Sequence, residues 1–353
     1  MTVALDLESQ FDHERVAIER RPEIGLTLIL ATHSTALGPG EGGLRMKRYP
    51  RIDDAIVDAL RLSAAMTLKS SAAGLPFGGG KGVVLEPPAW ASRETIMHAV
   101  GDVVERLDGA FIIGPDAGTS VEDMNLIRDR TRHVVGFSAE RGGLGDPSPS
   151  TAVTVLGSIR HAVDLLDGAT TLAGVRVGVL GVGKVGGHLV ELLAAEGAEV
   201  LVADLDATRV AEVAGRTGAT AIAPDAFLDL QLDVLAPCGA GELIGLDQVP
   251  RLRTRIVAGA ANNPLVADHV ADALHERRIL YVPDFIANCG GVVHNSVEYR
   301  GGTIEDVPAA LQDAVGRARA VLEQAVEAAR PPLDVARELA AERIAQARAA
   351  GRS

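Results

Sequence analysis

The chain has 353 residues, of which 47% are hydrophobic and 23% are charged, and its formal net charge is −13. This length exceeds what one ordinary hydrophobic core supports, so it predicts two domains. The negative charge argues against nucleic acid or an anionic membrane as a partner, although a small anion can still bind where positive charge is locally concentrated.

The cysteine content and the first residues predict where the protein works. Two cysteines, Cys238 and Cys289, are too few for a disulfide framework and indicate a reducing compartment. The N-terminal segment lacks the apolar core of a signal peptide, and no apolar run is long enough to span a membrane. We therefore expect a cytoplasmic protein with no membrane partner.

The first half of the chain predicts strands and helices in alternation. Apolar residues at 14–32 lie on either side of a turn and predict a β-hairpin. The next segment, 37–43, is so rich in glycine that we expect a loop, and 53–71 predicts a helix. Further elements are predicted at 82–85 (strand), 92–107 (helix with Ser92 as its cap) and 111–113 (strand).

Two lysines, Lys69 and Lys81, stand on either side of a stretch of mainly small residues. Lys69 closes the predicted helix beside apolar neighbours, and Lys81 follows three glycines that we expect to form a loop. Burial favours the neutral form of a lysine, which makes it useful as an anion clamp or a proton acceptor. Met66 shares the helix face of Lys69. The alternative is an ordinary lysine that extends to solvent beside a glycine loop.

Asp116 directly follows a predicted buried strand, three residues after Ile113. Rigid elements often aim a functional side chain from such a position. The alternative is that Asp116 caps a helix that begins near Val121. Beyond it, residues 136–151 are rich in glycine, proline and serine, and we place an interdomain hinge there.

The second half carries a glycine fingerprint, GVGKVG at 181–186, between a predicted strand and a predicted helix. A second strand follows and ends in Asp204. In this context the glycines allow a tight turn and close approach of a pyrophosphate, and the acidic residue accepts ribose hydroxyls. The pattern predicts NAD rather than NADP, although Lys184 and Arg209 could soften that preference.

Further short apolar strands end at polar or small residues near Cys238, Asn262 and Asn288. The carboxyl ends of parallel strands share one edge, so we expect Asn262 and Asn288 to face the same crevice as the glycine fingerprint. The amide of Asn262 can both donate and accept hydrogen bonds, while the alternative for it is a turn or a helix cap. The tail predicts two helices, 307–329 and 333–350.

Six segments occur in order: 33–50, 66–82, 114–119 (GPDAGT), 181–186, 258–263 (AGAANN) and 283–291 (PDFIANCGG). Together they resemble the Glu/Leu/Phe/Val amino acid dehydrogenases over nearly the whole chain, and most closely the leucine and phenylalanine branch. The resemblance implies an α/β protein of two domains: a mixed-sheet N-terminal substrate domain and a Rossmann-type NAD-binding domain, with a cleft between them. The expected boundaries are 1–147, 148–325 and, for a C-terminal helix packing back on the body, 326–353.

The resemblance also implies a reaction, the reversible NAD-dependent oxidative deamination of an L-amino acid to the 2-oxo acid and ammonia. Lys81 and Asp116 would be catalytic, and Lys69 would bind the α-carboxylate. A homo-oligomer assembled through the N-terminal domain is implied, and no metal is expected. Further substrate contacts are expected from Gly42, Asn262, Met66, Gly114, Glu41, Val292 and Asn295, and cofactor contacts from Gly181, Gly183, Lys184, Val185, Gly186, Asp204, Thr151, Cys238 and Asn288.

Substrate choice is where the sequence departs from the family pattern. Gly114 resembles the phenylalanine branch, where the missing side chain leaves room, and Val292 resembles the leucine and valine branch. Glu41 and Asn295 occupy positions that are usually apolar in this family. The hypothesis is that the substrate has a branched or aromatic side chain, or a larger one with a polar or cationic end. A carboxylate in the pocket that faces an apolar group would be costly. The alternative is that Glu41 turns to water or to Arg45.

Two other classes of function remain open from the sequence. An imine or ketone reductase would not require a carboxylate-binding lysine such as Lys69. A non-catalytic nucleotide-binding protein would keep the glycine fingerprint and lose the acid/base residues, whereas this chain retains Lys81 and Asp116.

Overall fold

A computed structural model describes residues 12–86, 91–239 and 241–351 and divides them into two compact units. The first unit holds the described residues up to Asp146, together with Asn295–Asp306 and the described residues from Ala340 onward. The second unit holds Pro147–His294 and Val307–Leu339. This division differs from the contiguous boundaries expected from the sequence, because the segment around Glu298 bonds within the first unit: Glu298 accepts the backbone N–H groups of Gly136 and Leu144 at 2.7 and 2.6 Å.

The first unit contains a five-stranded mixed sheet with the strand order β1-β2-β4-β3-β5. The β1–β2 and β2–β4 pairs are antiparallel, whereas β3 is parallel to both β4 and β5. The pairing of β1 with β2 confirms the predicted hairpin. The strands are β1 (Arg15–Arg21), β2 (Leu26–Ser34), β3 (Gly40–Lys47), β4 (Gly78–Leu85) and β5 (Phe111–Pro115).

Two glycine-rich segments that were expected to be loops lie inside strands. Gly42 belongs to β3, and the glycine run before Lys81 belongs to β4. The expectation was wrong because close backbone approach, rather than a turn, accounts for these glycines. A Cβ on Gly42 would lie 1.8 Å from the carbonyl oxygen of Gly80, and a Cβ on Gly78 would lie 1.8 Å from that of Ser34.

Helices cover both faces of this sheet. Helix α1 (Ile52–Ala72) packs through Ala55, Ala59 and Leu60 on the face that carries Val83. Helices α2 (Arg93–Glu105) and α3 (Val121–Arg128) cover the opposite face with a larger apolar core. Ser92 caps α2, as predicted, by accepting the backbone N–H of Thr95. The sheet is therefore the middle of three layers.

The second unit contains a six-stranded parallel sheet with the order β11-β10-β9-β6-β7-β8. The order reverses between β6 and β9, which is the switch point where such sheets bind dinucleotides. Both sheets together confirm the predicted α/β class. The strands are β6 (Arg176–Leu180), β7 (Glu199–Ala203), β8 (Thr220–Ala221), β9 (Val234–Pro237), β10 (Ile256–Val257) and β11 (Leu280–Tyr281).

The remaining helices complete the chain. One helix begins at Ser148, inside the segment 136–151, and Pro149 is compatible with its first turn because the missing N–H is not needed there. The two predicted tail helices are confirmed. No described helix is both long and apolar enough to cross a membrane. The helices are α4 (Ser148–Asp167), α5 (Lys184–Ala195), α6 (Ala207–Thr217), α7 (His269–Glu276), α8 (Asp284–Ala287), α9 (Gly290–Tyr299), α10 (Val307–Glu327) and α11 (Pro332–Ala350).

Candidate active site

Lys81 and Asp116 meet on one face of the mixed sheet. Lys81 lies within β4 and is only 5% exposed, and its Nζ donates to Asp116 Oδ2 at 2.8 Å. Gly43 on β3 allows this approach, because a Cβ there would lie 2.8 Å from the Cβ of Asp116. Ser120, rather than Asp116, caps α3, so the cap alternative for Asp116 is wrong.

Arg45 and Asp58 extend this pair into a network that the sequence analysis missed. Arg45 donates from Nε to Asp116 Oδ2 at 2.9 Å and from Nη1 to Asp58 Oδ2 at 3.0 Å. Tyr49 also donates to Asp58 Oδ2, at 2.6 Å. Arg45 lies on the face of β3 that carries Gly43, since side chains alternate along a strand, and this places it beside Asp116.

The network explains how these groups titrate. Burial is the main cause that lowers the pKa of Lys81, the Arg45 guanidinium lowers it further, and the Asp116 carboxylate opposes both. Burial alone would raise the pKa of Asp116, but Lys81 and Arg45 together outweigh it and lower that pKa to about 2. The predicted direction for Lys81 is confirmed. The nearby cation that contributes is the Arg45 guanidinium.

Lys69 and Met66 lie on α1, the helix that covers this face, and both are partly buried. Lys69 and Lys81 both lower the pKa of Glu41 electrostatically, which places all three charges within reach of one another. The close contact of α1 with the sheet has a local cause: a Cβ on Gly79 would lie 2.1 Å from Thr67 Oγ1. The first unit therefore brings the two predicted lysines and Asp116 to one site.

Glu41 is buried in the same unit and is 2% exposed. Its Oε1 accepts a hydrogen bond from Asn295 Nδ2 at 3.4 Å, while its Oε2 has no partner among the described residues. Burial raises the pKa of Glu41 to about 7, against the lowering effects of Asn295 and the two lysines. The alternative in which Glu41 turns to water or to Arg45 is wrong, because it is buried and Arg45 bonds to Asp116 and Asp58.

Gly114 and Val292 are the other two positions singled out for substrate choice. A Cβ on Gly114 would lie 3.1 Å from Val135 Cγ2 and 3.5 Å from Asn295 Nδ2. The space that this glycine leaves is thus bordered by Asn295 and Val135. Val292 belongs to the second unit, on α9, and is half-buried.

The three glycines of the fingerprint in the second unit differ in what surrounds them, and therefore in why a side chain is absent. Gly181 has a φ of 101°, and a Cβ there would lie 2.4 Å from the Gly239 nitrogen. A Cβ on Gly186 would lie 2.0 Å from the Gly181 carbonyl oxygen. A Cβ on Gly183 would meet nothing within 4 Å. Packing therefore requires the first and third glycines, whereas the second keeps space open in front of the N-terminus of α5.

A groove of about 560 Å³ adjoins this turn and is lined by Gly181, Gly183, Asp204, Arg209 and Cys238, among others. Asp204 accepts the backbone N–H groups of Val182 and Asp206 at 2.8 and 2.9 Å, and Arg209 Nη1 lies 3.7 Å from its Oδ2. Burial raises the pKa of the Cys238 thiol to about 12, so it stays protonated.

The remaining predicted residues of the second unit lie as follows. Lys184 and Val185 form the first turn of α5. Asn288 Nδ2 donates to Asn262 Oδ1 at 2.9 Å and to the Ala260 carbonyl at 3.0 Å, so the structure brings these two predicted asparagines together. Thr151 Oγ1 donates to the Pro147 carbonyl at 3.3 Å in the first turn of α4.

The doubly wound sheet, the open glycine turn and the buried lysine–aspartate pair define an α/β dehydrogenase. The dimerisation-domain model of the Glu/Leu/Phe/Val dehydrogenases matches residues 16–133, and the Glutamate/Leucine/Phenylalanine/Valine dehydrogenase model matches 201–351. The chain belongs to this family and is an amino acid dehydrogenase, which confirms the resemblance seen in the sequence.

Named relatives match over almost the full length. Leucine dehydrogenase of Bacillus cereus is 36% identical over 336 residues, covering 95% of this chain and 92% of the relative. Valine dehydrogenase of Streptomyces coelicolor is 39% identical over 342 residues, covering 96% and 94%. The crystal structure of L-tryptophan dehydrogenase from Nostoc punctiforme is 32% identical, with a TM-score of 0.83, and the match covers 99% of this chain and 100% of that one.

Proposed function

We propose that this protein catalyses the reversible NAD-dependent oxidative deamination of an L-amino acid to the 2-oxo acid and ammonia. The observation that carries the proposal is the buried Lys81–Asp116 pair, in which the pKa of the lysine is lowered. A lysine serves as a base near neutral pH only under such conditions. The relatives are named for leucine, valine and tryptophan, which supports a branched or aromatic side chain as the general substrate class.

The second unit fits the proposed cofactor. The open space at Gly183 and the N-terminus of α5, whose first turn includes Lys184 and Val185, suit a pyrophosphate. Asp204 would accept ribose hydroxyls and would repel the 2′-phosphate of NADP, while Arg209 weakens that repulsion. NAD⁺ supplies the hydride acceptor when it is bound. Gly181, Gly186, Thr151, Cys238 and Asn288 complete the proposed cofactor contacts.

In the first unit, Lys69 would bind the α-carboxylate and the backbone at Gly42 would contact it. The Asp116 carboxylate, which the low pKa keeps ionised, would accept a hydrogen bond from the substrate nitrogen. Neutral Lys81 would take a proton from the water that adds to the substrate imine. Asp116, which accepts a hydrogen bond from Lys81, would relay that proton to the substrate nitrogen, and ammonia would leave as the hydroxyl of the adduct returns its proton to Lys81. Met66 and, from the second unit, Asn262 would help to hold the substrate. The overall reaction consumes the amino acid, NAD⁺ and water, and it yields the 2-oxo acid, ammonium, NADH and a proton.

A panel of L-amino acids with NAD and with NADP tests the proposal through NADH or NADPH absorbance. We expect NADH with at least one L-amino acid, no reaction with the corresponding decarboxylated amine, and a lower kcat/KM with NADP. Oxidation of the decarboxylated amine would instead indicate an amine or imine oxidoreductase. Absence of turnover with every L-amino acid, in a sample that binds NADH, would refute the proposed reaction.

The role of Lys81 gives a second, sharper test. Because the base must be unprotonated, kcat/KM for deamination should rise with pH and level off below the ordinary pKa of lysine. Lys81→Ala should lower kcat by about 10²–10⁴-fold. Lys81→Arg is the matched variant, because it keeps a cation beside Asp116 but no accessible neutral form, and it should lose as much activity. Substantial turnover by Lys81→Arg would exclude Lys81 as the base.

We also propose that the protein is a cytoplasmic homo-oligomer. It would assemble through the first unit, because residues 16–133 match the dimerisation-domain model. The small-molecule partners would be the amino acid, the 2-oxo acid and ammonia.

A further inference from the structure

The unpartnered oxygen of Glu41 is the feature of the first unit that the proposed reaction leaves unused. Deamination needs a carboxylate clamp, a base and an acceptor for the substrate nitrogen, and Lys69, Lys81 and Asp116 would serve these roles. Glu41 is as deeply buried as Lys81, yet its Oε2 accepts no hydrogen bond from any described residue. A buried carboxylate without a partner is costly, so its presence calls for a ligand.

The register of the sheet places Glu41 beside the proposed catalytic pair. Glu41 is opposite Gly79 on β4 and Ile112 on β5. Side chains alternate along a strand, so Glu41 shares the face that carries Lys81, which lies two residues further along β4. Two residues of a strand correspond to about 6.6 Å, which is of the order of the length of a long amino acid side chain.

Asn295 presents a second unused acceptor next to Glu41. Its Nδ2 donates to Glu41 Oε1 at 3.4 Å, and its Oδ1 is also buried and has no partner among the described residues. The pair therefore offers two acceptor oxygens, beside an amide nitrogen that uses one of its two N–H groups to bond Glu41. A primary ammonium group carries three N–H donors and a positive charge, which suits this arrangement. An apolar group would leave both oxygens without partners.

The charges of the site favour a cation at the same place. Lys69 and Lys81 act on Glu41 through space, but each has another role in the proposed reaction: Lys69 would bind the α-carboxylate, and Lys81 donates to Asp116. Once the α-carboxylate is bound, Glu41 is the acidic group of this cluster without a cation of its own. A positively charged substrate end would supply one.

We propose that Glu41 and Asn295 bind the end of the substrate side chain, and that this end is a nitrogen with N–H donors, best an ω-ammonium group. The inference rests on the proposed deamination and refines it: the reaction is kept, and the side chain departs from the apolar class for which leucine and valine dehydrogenases are named. Gly114 borders this subsite, since a Cβ at that position would lie in van der Waals contact with Asn295 Nδ2, at 3.5 Å.

The test compares substrates that differ only at the side-chain end. We expect kcat/KM with NAD to be higher for L-ornithine or L-lysine than for L-norleucine, by about 10⁴-fold, as for sites built to bind a polar group. L-Tryptophan, whose indole supplies one neutral N–H donor, should fall between them. Glu41→Leu should reverse the order, and Asn295→Val should weaken the preference. Glu41→Gln keeps the shape of the side chain and removes its charge, so it should lower activity with the ω-amino substrates and spare L-norleucine.

Exposed Glu23 provides the matched control, because Glu23→Gln removes the same charge away from the site and should leave every ratio unchanged. A single cooperative thermal transition and unchanged NADH binding identify variants that remain folded. Preference for L-tryptophan that Glu41→Gln abolishes would support a neutral N–H donor as the recognised group. Preference for L-norleucine or L-leucine that Glu41→Leu does not alter would overturn the inference while leaving deamination intact. Failure with every L-amino acid would instead count against the proposed function.

Discussion

A buried ionisable residue is acceptable only when its surroundings compensate its charge, and the first unit shows two outcomes of that rule. Asp116 accepts hydrogen bonds from Lys81 and Arg45, and its pKa falls to about 2. Glu41 has only an amide donor among the described residues, and its pKa rises to about 7. The first carboxylate is held ionised by two cationic donors, whereas the second keeps one oxygen without a partner among the described residues.

The raised pKa of Glu41 predicts how stability depends on pH. Its ordinary value is 4.5 and its folded value about 7, so the folded state binds the extra proton between these values, and stability falls as the pH rises through that window. Glu41→Gln should remove this loss. In urea unfolding, the free energy of unfolding of Glu41→Gln should exceed that of the wild type by an amount that grows between about pH 5 and pH 8, up to roughly 3 kcal/mol.

The charged groups that act on Glu41 are Lys69 on α1 and Lys81 on β4, with Asn295 contributing its amide. The sign of the stability difference between Glu41→Gln and wild type is therefore diagnostic. If the two lysines fully compensated the charge of Glu41, its pKa would lie below the ordinary value, and Glu41→Gln would be the less stable protein at pH 8. Glu23→Gln should show no pH-dependent difference. Equal free energies of unfolding for Glu41→Gln and wild type at both about pH 5 and pH 8 would contradict the raised pKa of Glu41.

At the scale of elements, the glycine turn before α5 separates packing from binding. Gly181→Ala and Gly186→Ala introduce a Cβ within 2.4 Å of backbone atoms and should destabilise the second unit. Gly183→Ala introduces a Cβ into open space and should fold normally. Its methyl group would occupy the place proposed for the pyrophosphate, so we expect the Kd for NADH, measured by fluorescence titration, to rise by about tenfold or more, a loss of about 1.4 kcal/mol. Unaltered NADH affinity of Gly183→Ala would argue against pyrophosphate at this turn.

Helix α11 stabilises the first unit through a side chain rather than through an apolar face. Arg343 donates from Nη1 to the Ser71 carbonyl at 3.2 Å and from Nη2 to the Leu75 carbonyl at 2.8 Å. Ser71 in turn donates from Oγ to the Ala340 carbonyl at 2.8 Å. These bonds satisfy carbonyls at the end of α1, the helix that carries Lys69.

Arg343→Ala should therefore lower the free energy of unfolding by about 1–3 kcal/mol, since charge-assisted bonds to backbone carbonyls are lost. Chemical denaturation followed by circular dichroism measures the change. Arg330→Ala, which removes an exposed ion pair with Glu338 instead, should cost well under 1 kcal/mol. Equal effects of the two substitutions would mean that the bonds to the end of α1 contribute little.

Periodicity and spacing predicted much of this architecture because they report local structure. The hairpin, the alternation of strands and helices, and the glycine fingerprint all depend on neighbouring residues. The glycine runs at β3 and β4 were assigned to loops because the close contact that explains them, such as Gly42 against Gly80, comes from a different strand. Arg45 and Asp58 were missed for the same reason: their partner Asp116 is distant in sequence, and only the folded sheet brings them together.

At the scale of the whole molecule, the sequence crosses repeatedly between the two units, and α9 contributes Asn295 to the first unit and His294 to the second. A linear sequence gives no indication of such an exchange, because the hydrogen bonds of Glu298 that hold the end of α9 are to residues more than a hundred positions away. The helix that carries Asn295, a residue of the proposed substrate site, thus also contributes its first residues to the second unit.

The edge of the mixed sheet carries the last prediction, which concerns assembly. Among the strands of residues 12–86, 91–239 and 241–351, β1 pairs only with β2 and lies at the end of the strand order, and its Val16 and Ile18 are 43% and 47% exposed. An open edge strand with exposed apolar side chains can pair with a second copy of itself. The double substitution Val16→Lys and Ile18→Lys should therefore shift the protein toward the monomer in sedimentation velocity. Val266→Lys, which places a charge at an exposed apolar position of the second unit, should leave the oligomer unchanged. A monomeric wild type, or an oligomer that the double substitution does not alter, would show that β1 is not the interface.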